Sequence, residues 1–253
     1  MTPTSTASAA ARPAADAVRK AAMSATRPTV VLVHDGCSDA TTWAGVVAEL
    51  HRRGLSVLAA ANPLRGLAHD AAYLAALLAD LDGPVVLVGH AYGGAVITEA
   101  GGAPNVVALV YVAAYLPDVG ESYDDLVAGL APGQGRARLL RTGAGDELTV
   151  PREWFPELVA ADLDPELAQV LAALQRPVAE RVFTETPTAA AWRDKPSWAL
   201  VTGADQALPP EVQRFTAERA GAPVTELREA SHAVIVSRPT AVAELIHDVA
   251  TGR

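Results

Sequence analysis

The sequence predicts an α/β fold: a mostly parallel sheet with helices on both faces and a helical lid inserted above it. Three observations predict it. Short, largely β-branched runs alternate with helical stretches of about 10–15 residues, the pattern of βαβ units. Several of those runs, such as Thr29–Val33 and Pro84–Val88, are almost wholly apolar, as in a parallel sheet covered on both faces. The 253 residues are 50% hydrophobic and only 19% charged, enough for a sizeable core and too apolar for global disorder.

The elements follow in order along the chain. Residues 1–28 are rich in Ala, Ser, Thr and Pro and read as a flexible N-terminal extension, with a short helix expected over Ala14–Met23 and Met23 as a second candidate start. Thr29–Val33 is a strand that runs into His34, Asp35 and Gly36. Trp43–Arg53 has helical spacing and stops at Gly54. Leu55–Ala60 is a second strand, Leu67–Leu81 a helix with Tyr73 on its apolar face, and Pro84–Val88 a third strand. Gly89-His90-Ala91-Tyr92-Gly93-Gly94 comes next and opens a helix through about Ala100. Asn105–Ala114 and Trp198–Thr202 add two more strands, Pro209–Arg219 is helical, Pro223–Leu227 is the last strand and Thr240–Ala250 the closing helix. Between residues 118 and 196 the alternation stops. Helical stretches at Tyr123–Leu130, Trp154–Asp162 and Pro165–Leu174 are punctuated by Pro and Gly, so this segment is expected to cap a domain spanning 29–253.

Composition excludes several roles. A formal net charge of −9 argues against duplex nucleic acid and against anionic membrane surfaces as partners. No run approaches the ~18 apolar residues that cross a bilayer. The single cysteine, Cys37, excludes an intramolecular disulfide and a Cys-rich zinc site. Arg12, Arg19 and Lys20 interrupt any apolar core of a secretory leader, and the expected compartment is the cytoplasm. Lys occurs only at 20 and 195, and with the abundant Ala this suggests a GC-rich bacterial genome. No metal cluster and no phosphate-binding Gly loop appears, so no cofactor is expected; the partner is a small-molecule substrate, and a homodimer is admitted.

Val85 to Gly94 carries the most information. A buried strand, a Gly-x-x-x-Gly turn and a helix of small residues form the context in which a nucleophile is thrust above the strand ends, with the next backbone N–H aimed at an oxyanion. Here the sequence resembles the α/β-hydrolase family, in particular its small bacterial esterase-like members. The resemblance spans about residues 29–250 and rests on VVLVHDG, Trp43, ANPLRG, VVLVGHAYGG, VVALVYVAAYLPD, PSWALVTGAD and EASHAVIVSRP, in that order. It implies Asp205 as the triad acid and His232 as the histidine. Taken alone, Asp205 is also a helix cap before Pro209, His232 a buried structural histidine, and Asp118 an alternative acid or a cap.

The chain departs from that family twice. The nucleophile position matches Ala91, whose methyl has neither lone pair nor proton, so the acyl-enzyme route is closed. Asp35 stands where the family usually has Gly, beside the oxyanion donors of Gly36 and Tyr92, where it would repel a developing oxyanion. Asp35 alternatively faces solvent or caps the helix near Trp43. An inactivating Ser-to-Ala change at 91 in an ordinary esterase explains only the first departure; natural loss of the nucleophile and reuse of the pocket explains both.

The remaining equipment is acid–base. His232 oriented by Asp205 suits proton transfer near neutral pH. Asp35, if partly desolvated under the lid, is expected to have a raised pKa and to donate a proton while His232 accepts one. The expected function is non-covalent acid–base catalysis of isomerase, lyase or cyclase type on a small, largely apolar carbonyl or ester-type compound. The alternatives are the disabled serine ester hydrolase and a non-catalytic small-molecule binder. By position in the family, Cys37, Trp43, Tyr92, Tyr115, Leu116, Trp154 and Phe155 either line the pocket or pack in the core and lid. Cys37 equally reads as an inert small hydrophobe, His51, His69 and His247 as solvated, and Arg136, Arg138 and Arg141 as a surface patch.

Overall fold

The computed structural model describes residues 27–128, 139–142 and 145–253. The expected extension and its helix over Ala14–Met23 lie outside the described residues, as do Arg136, Arg138 and the end of the helix expected over Tyr123–Leu130.

Six parallel strands form the central sheet, in the order β2-β1-β3-β4-β8-β9. They are β1 (Thr29–Val33), β2 (Ser56–Ala60), β3 (Val85–His90), β4 (Val106–Val112), β8 (Ser197–Thr202) and β9 (Val224–Leu227). Each matches an expected strand. Side chains alternate between faces, as strand geometry requires. Val31, Val33, Val85 and Leu87 face the helices Leu67–Ala79, Tyr92–Ala100 and Pro210–Arg219. Val30, Leu32, Val86 and Val88 face Ala44–Arg52 and Pro239–Thr251. These two layers make the core, and they hold the carboxyl ends of the parallel strands in a row, where sheets of this type bind ligands.

The insertion is only partly helical. Helix Pro165–Ala173 forms as expected, its N-terminus capped by the Asp164 side chain. The other two expected helices shrink to Tyr123–Val127 and Phe155–Leu158. Three short strands appear instead, β5 (Leu140–Thr142), β6 (Glu147–Thr149) and β7 (Val178–Ala179), paired antiparallel. With two or three residues apiece they are too short to carry a period-2 signal. The Ala179 N–H donates to the Leu64 carbonyl (3.0 Å) and the Ala233 N–H to the Val159 carbonyl (2.8 Å), which tie the cap to the sheet on either side of the cavity. Among the described residues, no helix is long and apolar enough to cross a membrane.

Candidate active site

The turn after β3 is built from close approaches. A Cβ on Gly89 would stand 2.5 Å from the Gly93 carbonyl oxygen, and one on Gly93 2.5 Å from that of Val33. The approach of helix to strand strains the residue at the apex: Ala91 adopts φ 49°, ψ −113°. Such a backbone costs of order 1–3 kcal/mol and persists only where the surroundings enforce it. Here it lifts a methyl group into the cavity wall, and Tyr92 begins the helix, as expected.

His232 follows β9 and is held on both ring nitrogens. Its Nδ1 lies 2.7 Å from Asp205 Oδ2, and its Nε2 lies 3.1 Å from Asp35 Oδ2. Asp205 is fully buried. Its Oδ1 accepts from the Ala207 and Leu208 N–H groups, and its Oδ2 accepts from Thr202 Oγ1 and Gln213 Nε2. It does not cap the helix that follows, whose N-cap is Pro209. His90 points back into the fold; its Nε2–H donates to the His232 carbonyl (2.9 Å). Burial and the neighbouring His232 charge pull its pKa down to about 4, so it is neutral.

Asp35 neither faces solvent nor caps a helix; Asp39 caps the turn before Trp43. Asp35 Oδ1 accepts from the Gly36 N–H (2.5 Å) and the Tyr92 N–H (3.2 Å). The two amides expected to bind an oxyanion are therefore engaged by the protein's own carboxylate. His34 fixes the loop: its Nδ1–H donates to the Asp35 carbonyl (2.8 Å), and its Nε2 accepts from the Asn62 N–H (3.0 Å).

The expected charge states are reversed. Burial opposes ionisation of Asp35, but the hydrogen bond and charge of His232 outweigh it, and its pKa lies below the ordinary carboxylate value. Burial likewise opposes charge on His232, but Asp205 and Asp35 together raise its pKa to about 10. Both shifts favour an imidazolium between two carboxylates, an arrangement in which His232 can donate a proton and Asp35 accept one. The sequence admits a desolvated Asp35 but does not show that an imidazole meets it, and the partner decides the sign.

The cavity encloses about 1140 Å³ of empty space, part of it open to solvent. Gly36, Cys37, Tyr92, Tyr115 and Phe155 line it as expected, with Leu158, Leu171, Val178 and Phe183 from the cap. No lysine or arginine is among the described lining residues. Three expected lining residues are elsewhere. Trp43 is fully buried beneath the sheet, edge-on to His90 at 6.1 Å between ring centroids. Leu116 is buried in the core, and Trp154 is 40% exposed on the cap. Burial and the Asp35 charge push the Cys37 thiol up to about 12, and its Sγ donates to the Leu148 carbonyl (3.7 Å). Asp118 pairs with Arg193, away from the cavity, and Arg141 pairs with Glu180 and Asp146. His51 and His69 are exposed, whereas His247 is half-buried beside Asp248. Sequence reasoning missed the roles of Thr202 and Gln213 in holding Asp205 and of Asp70 in holding Tyr92, whose Oη donates to Asp70 Oδ2 (2.8 Å). Asp70 and Thr202 carry a signal, a polar residue inside an otherwise apolar pattern; Gln213 sits in a polar helix and carries none.

A profile described as the alpha/beta hydrolase family matches residues 30–245. Solved structures share the fold at low identity. Polyneuridine aldehyde esterase superposes with a TM-score of 0.77 at 21% identity, covering 88% of this chain and 99% of its own. A pyrethroid hydrolase from Sphingobium faniae JZ-2 gives 0.74 at 22% identity, covering 89% and 98%. A methylesterase from Arabidopsis gives 0.73 at 19% identity, covering 89% and 100%. No curated protein sequence matches the chain significantly.

Proposed function

The chain belongs to the alpha/beta hydrolase family, and from that premise we propose that it has exchanged serine-type hydrolysis for non-covalent acid–base catalysis on a small, largely apolar carbonyl compound. The observation that carries the reading is the double engagement of Asp35: one oxygen on the Tyr92 and Gly36 amides, the other on His232 Nε2. The first contact blocks oxyanion binding. The second stores one transferable proton beside the substrate cavity.

The protons balance over a cycle. Asp35 takes a proton from the carbon next to a substrate carbonyl. The His232 imidazolium returns its Nε2 proton to another carbon, or to a leaving group in an elimination. Asp35 then passes the captured proton across 3.1 Å to His232, and the resting pair is restored. Asp205 remains ionised and holds the ring. General acid–base help of this kind is worth about 10²–10⁴-fold in rate.

Incubation with a panel of apolar ketones and aldehydes in D2O, followed by NMR, tests the reading. Deuterium is expected to enter the carbon next to the carbonyl, and His232→Ala is expected to abolish the exchange. A chain that exchanges none of them, yet hydrolyses nitrophenyl esters unaided, overturns it.

A second reading is supported by the esterase and hydrolase neighbours: a serine ester hydrolase with alanine in the nucleophile position. It predicts that Ala91→Ser alone produces strong nitrophenyl ester hydrolysis.

A further inference from the structure

Tyr115, in the cavity wall, carries a hydroxyl with no hydrogen bond to a described residue. Tyr115 lies just beyond β4, is 4% exposed, lines the cavity, and packs edge-on against Tyr123 with ring centroids 5.4 Å apart. Its neighbours in the wall are satisfied. Tyr92 Oη donates to Asp70, Ser38 Oγ to the Asp35 carbonyl, and Thr42 Oγ1 to the Asp39 carbonyl. Thr41 Oγ1 donates to Asp39 Oδ1. Tyr115 Oη has no such bond. A tyrosine hydroxyl that lines a cavity and has no protein partner is free to donate to a ligand acceptor.

The two backbone amides placed to bind a substrate oxygen are also occupied. Asp35 holds the Gly36 and Tyr92 amides, and no described lining residue is lysine or arginine. Removing a proton next to a carbonyl moves negative charge onto the carbonyl oxygen, and that charge needs a preorganised donor. Burial, with the nearby Tyr123 and Asp35, holds the Tyr115 phenol well above its ordinary pKa, so it keeps its proton at any working pH.

We propose that Tyr115 Oη donates a hydrogen bond to the carbonyl oxygen of a neutral ketone or aldehyde substrate and takes over the work of the occupied backbone amides. This rests on the acid–base reading above. It deepens that reading by naming the substrate group recognised and the side chain that recognises it. The proton on Oη stays on Oη: the bond polarises the carbonyl, and Asp35 and His232 carry out the transfers.

The test pairs 2-acetonaphthone with 2-ethylnaphthalene, which matches it in shape and has no acceptor. Tyr115→Phe removes only the oxygen and keeps the ring contact with Tyr123; circular dichroism checks that the fold is unchanged. The ketone is expected to bind the unaltered chain about tenfold more tightly than Tyr115→Phe, while the hydrocarbon binds both alike. The infrared carbonyl stretch of the bound ketone is expected at lower frequency in the unaltered chain and to rise in Tyr115→Phe. Equal ketone affinity and an unmoved stretch overturn the proposal. So does failure of the ketone to bind up to its solubility limit, or a lowered stretch that survives in Tyr115→Phe and vanishes in His232→Ala, which would make imidazolium the donor. Neither readout needs turnover. A Tyr115-dependent stretch without deuterium exchange therefore sinks the acid–base reading alone, and Tyr115-independent binding sinks this proposal alone.

Discussion

The two carboxylates that flank His232 occupy opposite environments. Asp205 has no exposed side-chain surface, and two hydroxyl or amide side chains and two backbone amides surround it. Asp35 keeps 20% of its side chain exposed, toward the substrate cavity. Both favour the same imidazolium, but only one can reach a substrate. The difference teaches which charge is placed to orient the ring and which to meet a ligand: a fully satisfied, enclosed carboxylate has no lone pair free, whereas one on the cavity wall can exchange a proton with a ligand.

Asparagine at each position separates these roles. Asp35→Asn is expected to lower deuterium exchange by about 10²–10⁴-fold and to cost less folding stability than loss of the Asp205 charge, because Asp35 is the less enclosed of the two. Asp205→Asn is expected to lower exchange too, and also to cost about 3–5 kcal/mol of stability in urea titrations, because it leaves a buried ionic group without its partner. Equal stability losses in the two variants would erase the distinction.

Restoring a nucleophile sharpens the comparison from the cavity side. Ala91→Ser alone is expected to yield little ester hydrolysis, since Asp35 still holds both amides. Combining it with Asp35→Gly is expected to raise nitrophenyl ester hydrolysis by about 10²–10³-fold over the single variant, the usual worth of an oxyanion donor.

The pH dependence has a definite sign. The folded pKa of His232 is raised from 6.5 to about 10, so its stabilisation is complete below 6.5 and is lost as pH rises through about 10. The folded pKa of Asp35 is lowered from 3.8, so its contribution is complete above 3.8 and is lost as pH falls through the lower folded value. The exchange rate is expected to be flat through neutrality and to fall above about 10, as the donor is lost. A serine hydrolase instead gains activity as its histidine deprotonates near ~6.5. Asp35→Asn is expected to shift the alkaline limb to lower pH. The smallest effect belongs to Gln213→Ala, which removes one donor to Asp205 and is expected to cost about 1 kcal/mol in urea titrations.

Much of this architecture is legible in the chain itself. Most of the central strands are short apolar runs bounded by Gly, Pro or charge, and Asp205 and His232 stand shortly after the last two strands. The cap is less legible. Glu147-Leu148-Thr149 and Val178-Ala179 become strands only because neighbours pair with them. Trp43 reads as a lining residue from its nearness to the Asp35 loop, yet the helix it precedes turns it beneath the sheet. Asp35 marks the limit of local reasoning. Its type suits a cap, a solvated loop or a catalytic group equally, and its ionisation depends on a histidine 197 positions away.

The protonation of His232 in the unliganded chain tests the central claim without any substrate. Nitrogen-15 NMR of labelled histidine at about pH 8, a pH at which an ordinary histidine is neutral, reports both ring nitrogens directly. The account predicts that both carry hydrogen at that pH, and that Asp35→Asn lowers the pH at which one is lost. A neutral His232 ring at that pH, titrating near the ordinary histidine value and indifferent to Asp35→Asn, would contradict it.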